Sequence, residues 1–372
     1  MSGGALLLAC LLAPQAVQDP SRPPLPGRAD RNDWQAYFDR GADILQRYPN
    51  QADSLFYWAH RLDPSRAEPL YARWVAFWLK DIGRFEKYLD DDPRVLESPA
   101  VLAVDTLYLR ALQRNPFVPR SLLVLLLDQL PGSWDDNPVT RGWLAYSKQR
   151  YSLAASYFGQ MTRGNKEANL WMHFPRALAF LRLEAYDSAS VEMNTLLTKL
   201  RTRADTQSSH SYESLEMVNY AIGLLHLVRG HADSARRSFE HALEENLGFF
   251  PAHAELGELA LGRFNRTGAA RDFKQAAELA PDQAWMQERY GVGLLRMGRP
   301  LDAVAPLERA IALEPWYAEP YLMLGKAWEG AGDKDAALKA YQQFLERAPR
   351  RDTTAVNDAQ RRLALLRGEP RD

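Results

Sequence analysis

A single cysteine, Cys10, stands in 372 residues, so an internal disulfide and a thiolate metal cage are both out of reach. Charge of one sign is equally scarce. With 46 basic against 47 acidic side chains the net charge is -1, and no long Lys/Arg block appears. That excludes a general attraction to nucleic acid or to an anionic lipid surface. Long apolar runs are missing too: Ala5–Ala13 is nine residues and Leu122–Leu127 six, against the roughly 20 that a membrane-spanning helix needs. What is present, 46% hydrophobic and 25% charged, is ordinary globular composition, which rules out wholesale disorder and a collagen-like fibre.

The run Ala5–Ala13 has the length of the apolar core of a secretory leader. Residues 1–18 are therefore read as a signal peptide with Ala16 near its cleavage point, and 19–31 as a proline-rich linker. Export to the periplasm or envelope is expected. Two alternatives stand beside it. Leu7, Leu8, Ala9 and Cys10 resemble a lipoprotein box, which would anchor the chain through Cys10. The absence of Lys or Arg ahead of the run also suits an uncleaved cytoplasmic tail.

Beyond the leader the informative feature is a period. Gly223, Gly257, Gly291 and Gly325 stand 34 residues apart. Twelve residues after each comes Ala235, Ala269, Ala303 or Ala337, and sixteen after comes Phe239, Phe273, Leu307 or Tyr341. Twenty-four after come Leu247, Pro281, Pro315 and Pro349. Small residues in register let two helix backbones approach while the bulky one fills the space beside them. Proline ends the unit because it lacks an amide proton, and Gly230, Gly298 and Gly332 mark turns inside it. In this region no strand-like alternation competes.

These residues resemble the tetratricopeptide repeat family. The last unit carries the resemblance most fully, with Tyr321, Leu324, Gly325, Trp328, Gly332, Ala337, Tyr341 and Pro349; Phe344 departs from the family's alanine. Units then begin near Asp33, Ala67, Val101, Asp135, Leu170, Glu216, Phe250 and Ala284. The resemblance implies an all-α, right-handed superhelical solenoid of about nine antiparallel helix pairs. Its division would be degenerate repeats over 32–134, two repeats over 135–201, a Ser/Thr-rich loop over 202–215, four repeats over 216–351, and a capping helix and tail over 352–372. In the degenerate unit, Val101–Gln113 reads as a first helix and Pro119–Leu130 as a second.

Within the family, positions 2, 5, 9 and 12 of each first helix line the concave groove, a single helical stripe. Mapped here, the stripe includes Trp143, Tyr146, Trp171, Phe174, Leu178, Tyr220 and Leu224, turning polar at Glu258, Glu288 and Lys326. An aromatic groove suits an extended peptide or partner helix; packing between repeats is the other reading of the same side chains. The Lys/Asn pattern with which some family members clamp a terminal carboxylate is absent. The implied function is a non-catalytic scaffold for a protein or peptide partner of unnamed identity, with no cofactor, no metal, no nucleic acid and no integral membrane span.

Catalytic motifs are sparse. No His-Glu-x-x-His pair occurs, since His253 is followed by Ala254 and Glu255. His226, His231 and His241 fall on either side of a turn. Gly291, Gly293 and Gly298 lack the strand and the intervals of a phosphate loop, and no Gly-x-Ser-x-Gly elbow is present. The one enzymatic alternative is a glycan hydrolase using Glu258 and Glu288, which would need to stand about 5 to 9.5 Å apart.

Overall fold

The computed structural model describes residues 21–130, 137–162, 170–202 and 214–368. The leader with Cys10, and most of the Ser/Thr-rich stretch, lie outside the described residues. Every regular element among those described is a helix. In chain order these are α1 (Trp34–Ile44), α2 (Pro49–Leu62), α3 (Glu68–Leu79), α4 (Ile82–Leu89), α5 (Pro93–Leu96), α6 (Pro99–Arg114) and α7 (Leu123–Leu127). Then follow α8 (Pro138–Ser147), α9 (Tyr151–Met161), α10 (His173–Arg182), α11 (Tyr186–Thr202), α12 (Leu215–Val228) and α13 (Ala232–Glu245). The last seven are α14 (Phe250–Gly262), α15 (Arg266–Leu279), α16 (Ala284–Arg296), α17 (Pro300–Leu313), α18 (Glu319–Ala331), α19 (Lys334–Arg347) and α20 (Thr353–Arg367).

Local chemistry sets the boundaries. Proline occupies the first turn of α2, α3, α6, α8, α14, α17 and α18, where its missing amide proton is harmless. Asp33, Asn137, Asn265 and Asp333 accept from backbone amides just inside their helices at 2.8 to 3.0 Å. Between the helices of a pair, Gly230, Gly298 and Gly332 take φ of 73°, 75° and 85°, the left-handed conformation that ends a helix.

Pairing follows the period. A Cβ built on Gly223 would penetrate the Phe239 ring, and the same interlock joins Gly257 to Phe273, Gly291 to Leu307 and Gly325 to Tyr341. It also appears earlier in the chain, between Gly41 and Phe56 and between Gly142 and Phe158. At the far end α20 lays Ala359 and Leu363 over Phe344 and Tyr341, as a cap should.

The unit expected from Val101 forms differently. Arg114 Nε donates to Pro64 O at 2.6 Å, and Tyr108 stacks on Trp74 with centroids 5.0 Å apart. So α6 runs antiparallel to α3 and serves as that helix's partner, while α4 and α5 form an excursion between them. Large rings explain the choice. Trp74, Trp78, Phe85, Tyr88 and Tyr108 form one cluster, and α6 closes it. Eight hairpins therefore form among the described residues, with the short α7 standing where a ninth was expected.

Early and late hairpins also meet along a seam. Arg110 Nη2 reaches Asp282 Oδ2 at 2.7 Å, and Arg114 Nη2 reaches Gln283 Oε1 at 2.8 Å. One step along, Arg61 ion-pairs with Glu314, and Trp58 meets Trp316 edge to face at 5.7 Å. At the end, Asn32 Nδ2 donates to Glu346 O at 3.0 Å, and Arg351 pairs with Asp33 at 2.9 Å. As the early positions descend from 114 to 32, the late ones ascend from 282 to 351. The two arms of the stack thus run in opposite directions, joined at the junctions between hairpins. Residues 22–25, expected as linker, rest on this seam: Arg22 donates to the Tyr37 hydroxyl at 3.0 Å and lies 5.3 and 5.2 Å from the Trp58 and Trp316 rings.

Candidate binding site

Burial divides the expected groove stripe. Trp143, Tyr146, Phe174, Leu178 and Tyr220 are 5%, 3%, 1%, 1% and 3% exposed, and of these Tyr146, Phe174, Leu178 and Tyr220 are packing residues in the stack. Tyr220 shows why: its ring meets Phe239 at 5.7 Å and Phe249, from the junction before the next hairpin, at 5.4 Å. Burial pushes the Tyr146 hydroxyl up to about 12. Trp171 and Leu224 are only partly covered.

Two stripe residues do line a cavity. A pocket of about 300 Å³ is bounded by Tyr71, Trp74, Phe85, Tyr88 and Tyr108 from α3, α4 and α6. Its other wall comes from Leu123, Leu127, Val139, Trp143, Trp171, Met172 and Pro175. Leu89 and Asp91 lie at its exposed rim, and Arg120 lines it with its guanidinium 4.7 Å from the Phe174 ring centroid and 5.5 Å from that of Tyr108. Most wall polar groups are already engaged: Trp74 Nε1 donates to Asp105 Oδ1 at 3.2 Å, Tyr88 Oη to the same oxygen at 3.3 Å, and Tyr71 Oη to Arg120 O at 3.3 Å. Apart from Arg120 and the rim Asp91, the surface left for a ligand is aromatic and aliphatic. Sequence reasoning found Trp143 and Trp171 but missed the wall from α3, α4 and α6; the density of rings from Tyr71 to Tyr88 was the signal available.

The polar end of the stripe is a charge ladder. Glu258 pairs with Arg296 at 2.5 Å and Arg289 at 3.8 Å, while Arg289 also holds Glu255 at 3.0 Å. Lys326 pairs with Asp358 of the cap at 3.3 Å. Partial burial of Glu288, reinforced by the neighbouring Glu319, pushes its carboxyl up to about 8. Burial raises Glu319 as well. Both oxygens of Glu258 are therefore committed to arginines, which gives that residue a structural use. At the seam a polar cleft of about 540 Å³ opens between Trp34, Arg66, Tyr317, Glu319 and Arg351. Among the described residues no cluster of three His, Cys, Asp or Glu could hold a metal ion, and no helix is long and apolar enough to cross a membrane.

The family model of the tetratricopeptide repeat matches residues 291–352. Over 88 residues the chain is 35% identical to the Hsp70-Hsp90 organizing protein of Triticum aestivum, covering 24% of this chain and 15% of that protein. Over 75 residues it is 33% identical to progestin and adipoQ receptor family member 3 of Homo sapiens, covering 20% of this chain and 23% of that one. The chain thus spans less than a quarter of the length of these curated relatives. Among solved structures, the C-terminal part of a TPR repeat-containing protein from Cytophaga hutchinsonii is 14% identical with a TM-score of 0.45, over 62% of this chain and 95% of the other. YrrB, described as a TPR protein with an unusual peptide-binding site, is 16% identical with a TM-score of 0.42, over 56% and 99%. MamA is 20% identical with a TM-score of 0.39, over 46% and 93%.

Proposed function

We propose that the chain is a tetratricopeptide-repeat protein and a non-catalytic scaffold that captures a protein segment through one large apolar side chain. The observation that carries this reading is the aromatic pocket of about 300 Å³ between the early hairpins. A cavity of about 150 Å³ already holds a benzene ring, so this one admits a leucine, phenylalanine or tryptophan side chain with room to adjust. Rigid Trp and Tyr walls lose little rotamer freedom on binding and are the side chains that dominate interface energetics. Within the groove stripe, Trp143 and Trp171 make the partner contact, Tyr146, Phe174, Leu178 and Tyr220 hold hairpins together, and the Glu258 ladder stiffens the far arm. The apolar run Ala5–Ala13 supports a place in the cell envelope; N-terminal sequencing of the fractionated protein tests that location.

Selection of a random peptide library on the full chain tests the capture. The selected peptides should share one large apolar residue. They should lose roughly thirtyfold in affinity, about 2 kcal/mol, on Trp171→Ala, with the melting temperature little changed because Trp171 is only partly covered. Equal binding to wild type and Trp171→Ala contradicts the reading.

A further inference from the structure

Phe264 is the outlier of the surface. Its side chain is 91% exposed, more than any other large hydrophobic among the described residues. Its backbone sits at φ 59° in the turn between α14 and α15, a conformation disfavoured for a bulky L-residue. The equivalent turns of other hairpins use Gly230, Gly298 and Gly332, or the polar Gln149 and Glu184 at φ 59° and 56°. Those neighbours show what the turn takes when only folding is at stake. Phenylalanine here is unfavourable twice, in backbone strain and in exposed apolar surface, and such outliers concentrate where a chain does something beyond folding.

Charge adds direction. Arg263 and Arg266, both exposed, flank the ring, and Arg263 pairs with Asp233. At the mouth of the aromatic pocket the chain runs Leu89, Asp90, Asp91, all exposed. An apolar knob with cationic shoulders therefore exists on the same chain as an apolar hole with an anionic rim. We propose that Phe264 of one copy seats in the aromatic pocket of a second copy, with Arg263 and Arg266 facing Asp90 and Asp91. The inference rests on the pocket being a side-chain site, as read above, and names its occupant. Knob and hole are different surfaces, so the contact is heterologous and adds copies head to tail.

Sedimentation velocity on the full chain across a concentration series tests it. Wild type should associate progressively, and the association should weaken about tenfold from low to high salt as the rim charges are screened. Phe264→Gly, which relieves the strained backbone, should be monomeric with an unchanged or higher melting temperature. Leu89→Lys, which places a cation at the rim, should be monomeric too. An equimolar mixture of the two variants should form one heterodimer and stop there, because each supplies what the other lacks. A monomeric wild type, association of Phe264→Gly equal to wild type, or a mixture that pairs no better than its components overturns the proposal. The selected peptides described above, titrated into Phe264→Gly, separate the two readings: if they bind while copies fail to pair, only the self-partner is wrong, and if they also fail to bind, the pocket reading falls as well.

Discussion

The late arm of the stack, α12 to α19, and the stretch of the early arm from α3 to α7 solve the same packing problem by different means; α1 and α2 still use the interlock, through Gly41 and Phe56. In the late arm each first helix offers a glycine and each second helix a ring or leucine that occupies the missing side chain's place. The interlock repeats at 34 residues and leaves no room for a side chain at the glycine positions. At α3 the position in register with those glycines is Trp74, whose ring packs on Trp78 and Tyr108 instead of making room for a partner's ring. The second helix of that pair comes from beyond an excursion, and the space the rings cannot fill is the pocket. Regular repeats give stiffness; the irregular arm gives a cavity.

Substitutions can break this contrast. The largest effect is expected from Trp78→Ala, which removes a fully buried ring beside Trp74, Phe85 and Tyr88. It should destabilise by about 3–5 kcal/mol in denaturant unfolding and, because those neighbours line the pocket, abolish peptide capture. In the late arm, Gly325→Val forces side-chain atoms into the Tyr341 ring and should lose about 3 kcal/mol. Peptide capture should survive in that variant, since solenoid damage stays local; loss of capture there would mean the arms are not separable.

A pH test comes next in size. Glu288 binds its proton more tightly folded than unfolded, its carboxyl rising from 4.5 to about 8. Between those values the native state holds more protons than the unfolded chain, so stability is full below pH 4.5 and falls as pH climbs to 8. Glu288→Gln should remove that decline, gaining about 2 kcal/mol on wild type at pH 8.5 relative to pH 5, roughly half of the ~4 kcal/mol the shift would carry if unscreened, because Glu288 keeps some contact with solvent; melts at the two pH values read it. The smallest effect is at the seam. Trp316→Ala loses the edge-to-face contact with Trp58 and the Arg22 stack, about 1 kcal/mol by double-mutant cycle with Trp58→Ala. Small-angle scattering should then record a larger radius of gyration as the arms part.

Legibility followed locality. The hairpins from Asp135 and Glu216 onward could be read because Gly223, Phe239, Pro281 and their counterparts act on neighbours within one repeat, and the cap at Thr353–Arg367 announced itself by its apolar spacing. The pairing of α6 with α3 could not be read, because phase alone assigned Val101 to a first helix and only the meeting of Trp74 with Tyr108 reverses that. Nor could the seam: Arg61 and Glu314 lie 253 residues apart, and no period connects them. The groove stripe left open whether Tyr220, Phe174 and Leu178 face the groove or pack between hairpins, and they are buried, since a stripe position says which way a side chain points and not whether the next hairpin covers it. Phe264 was legible only once its turn could be compared with Gly230 and Gly298 in space.

Indole nuclear magnetic resonance of the tryptophan-labelled chain, titrated with a selected peptide, tests the docking assignment most directly. The account predicts that the Nε1–H signals of Trp74, Trp143 and Trp171 move together while those of Trp58 and Trp316 at the seam stay fixed. Shifts confined to Trp34, Trp58 and Trp316 would place the partner at the seam, whose cleft Trp34 lines, and contradict it.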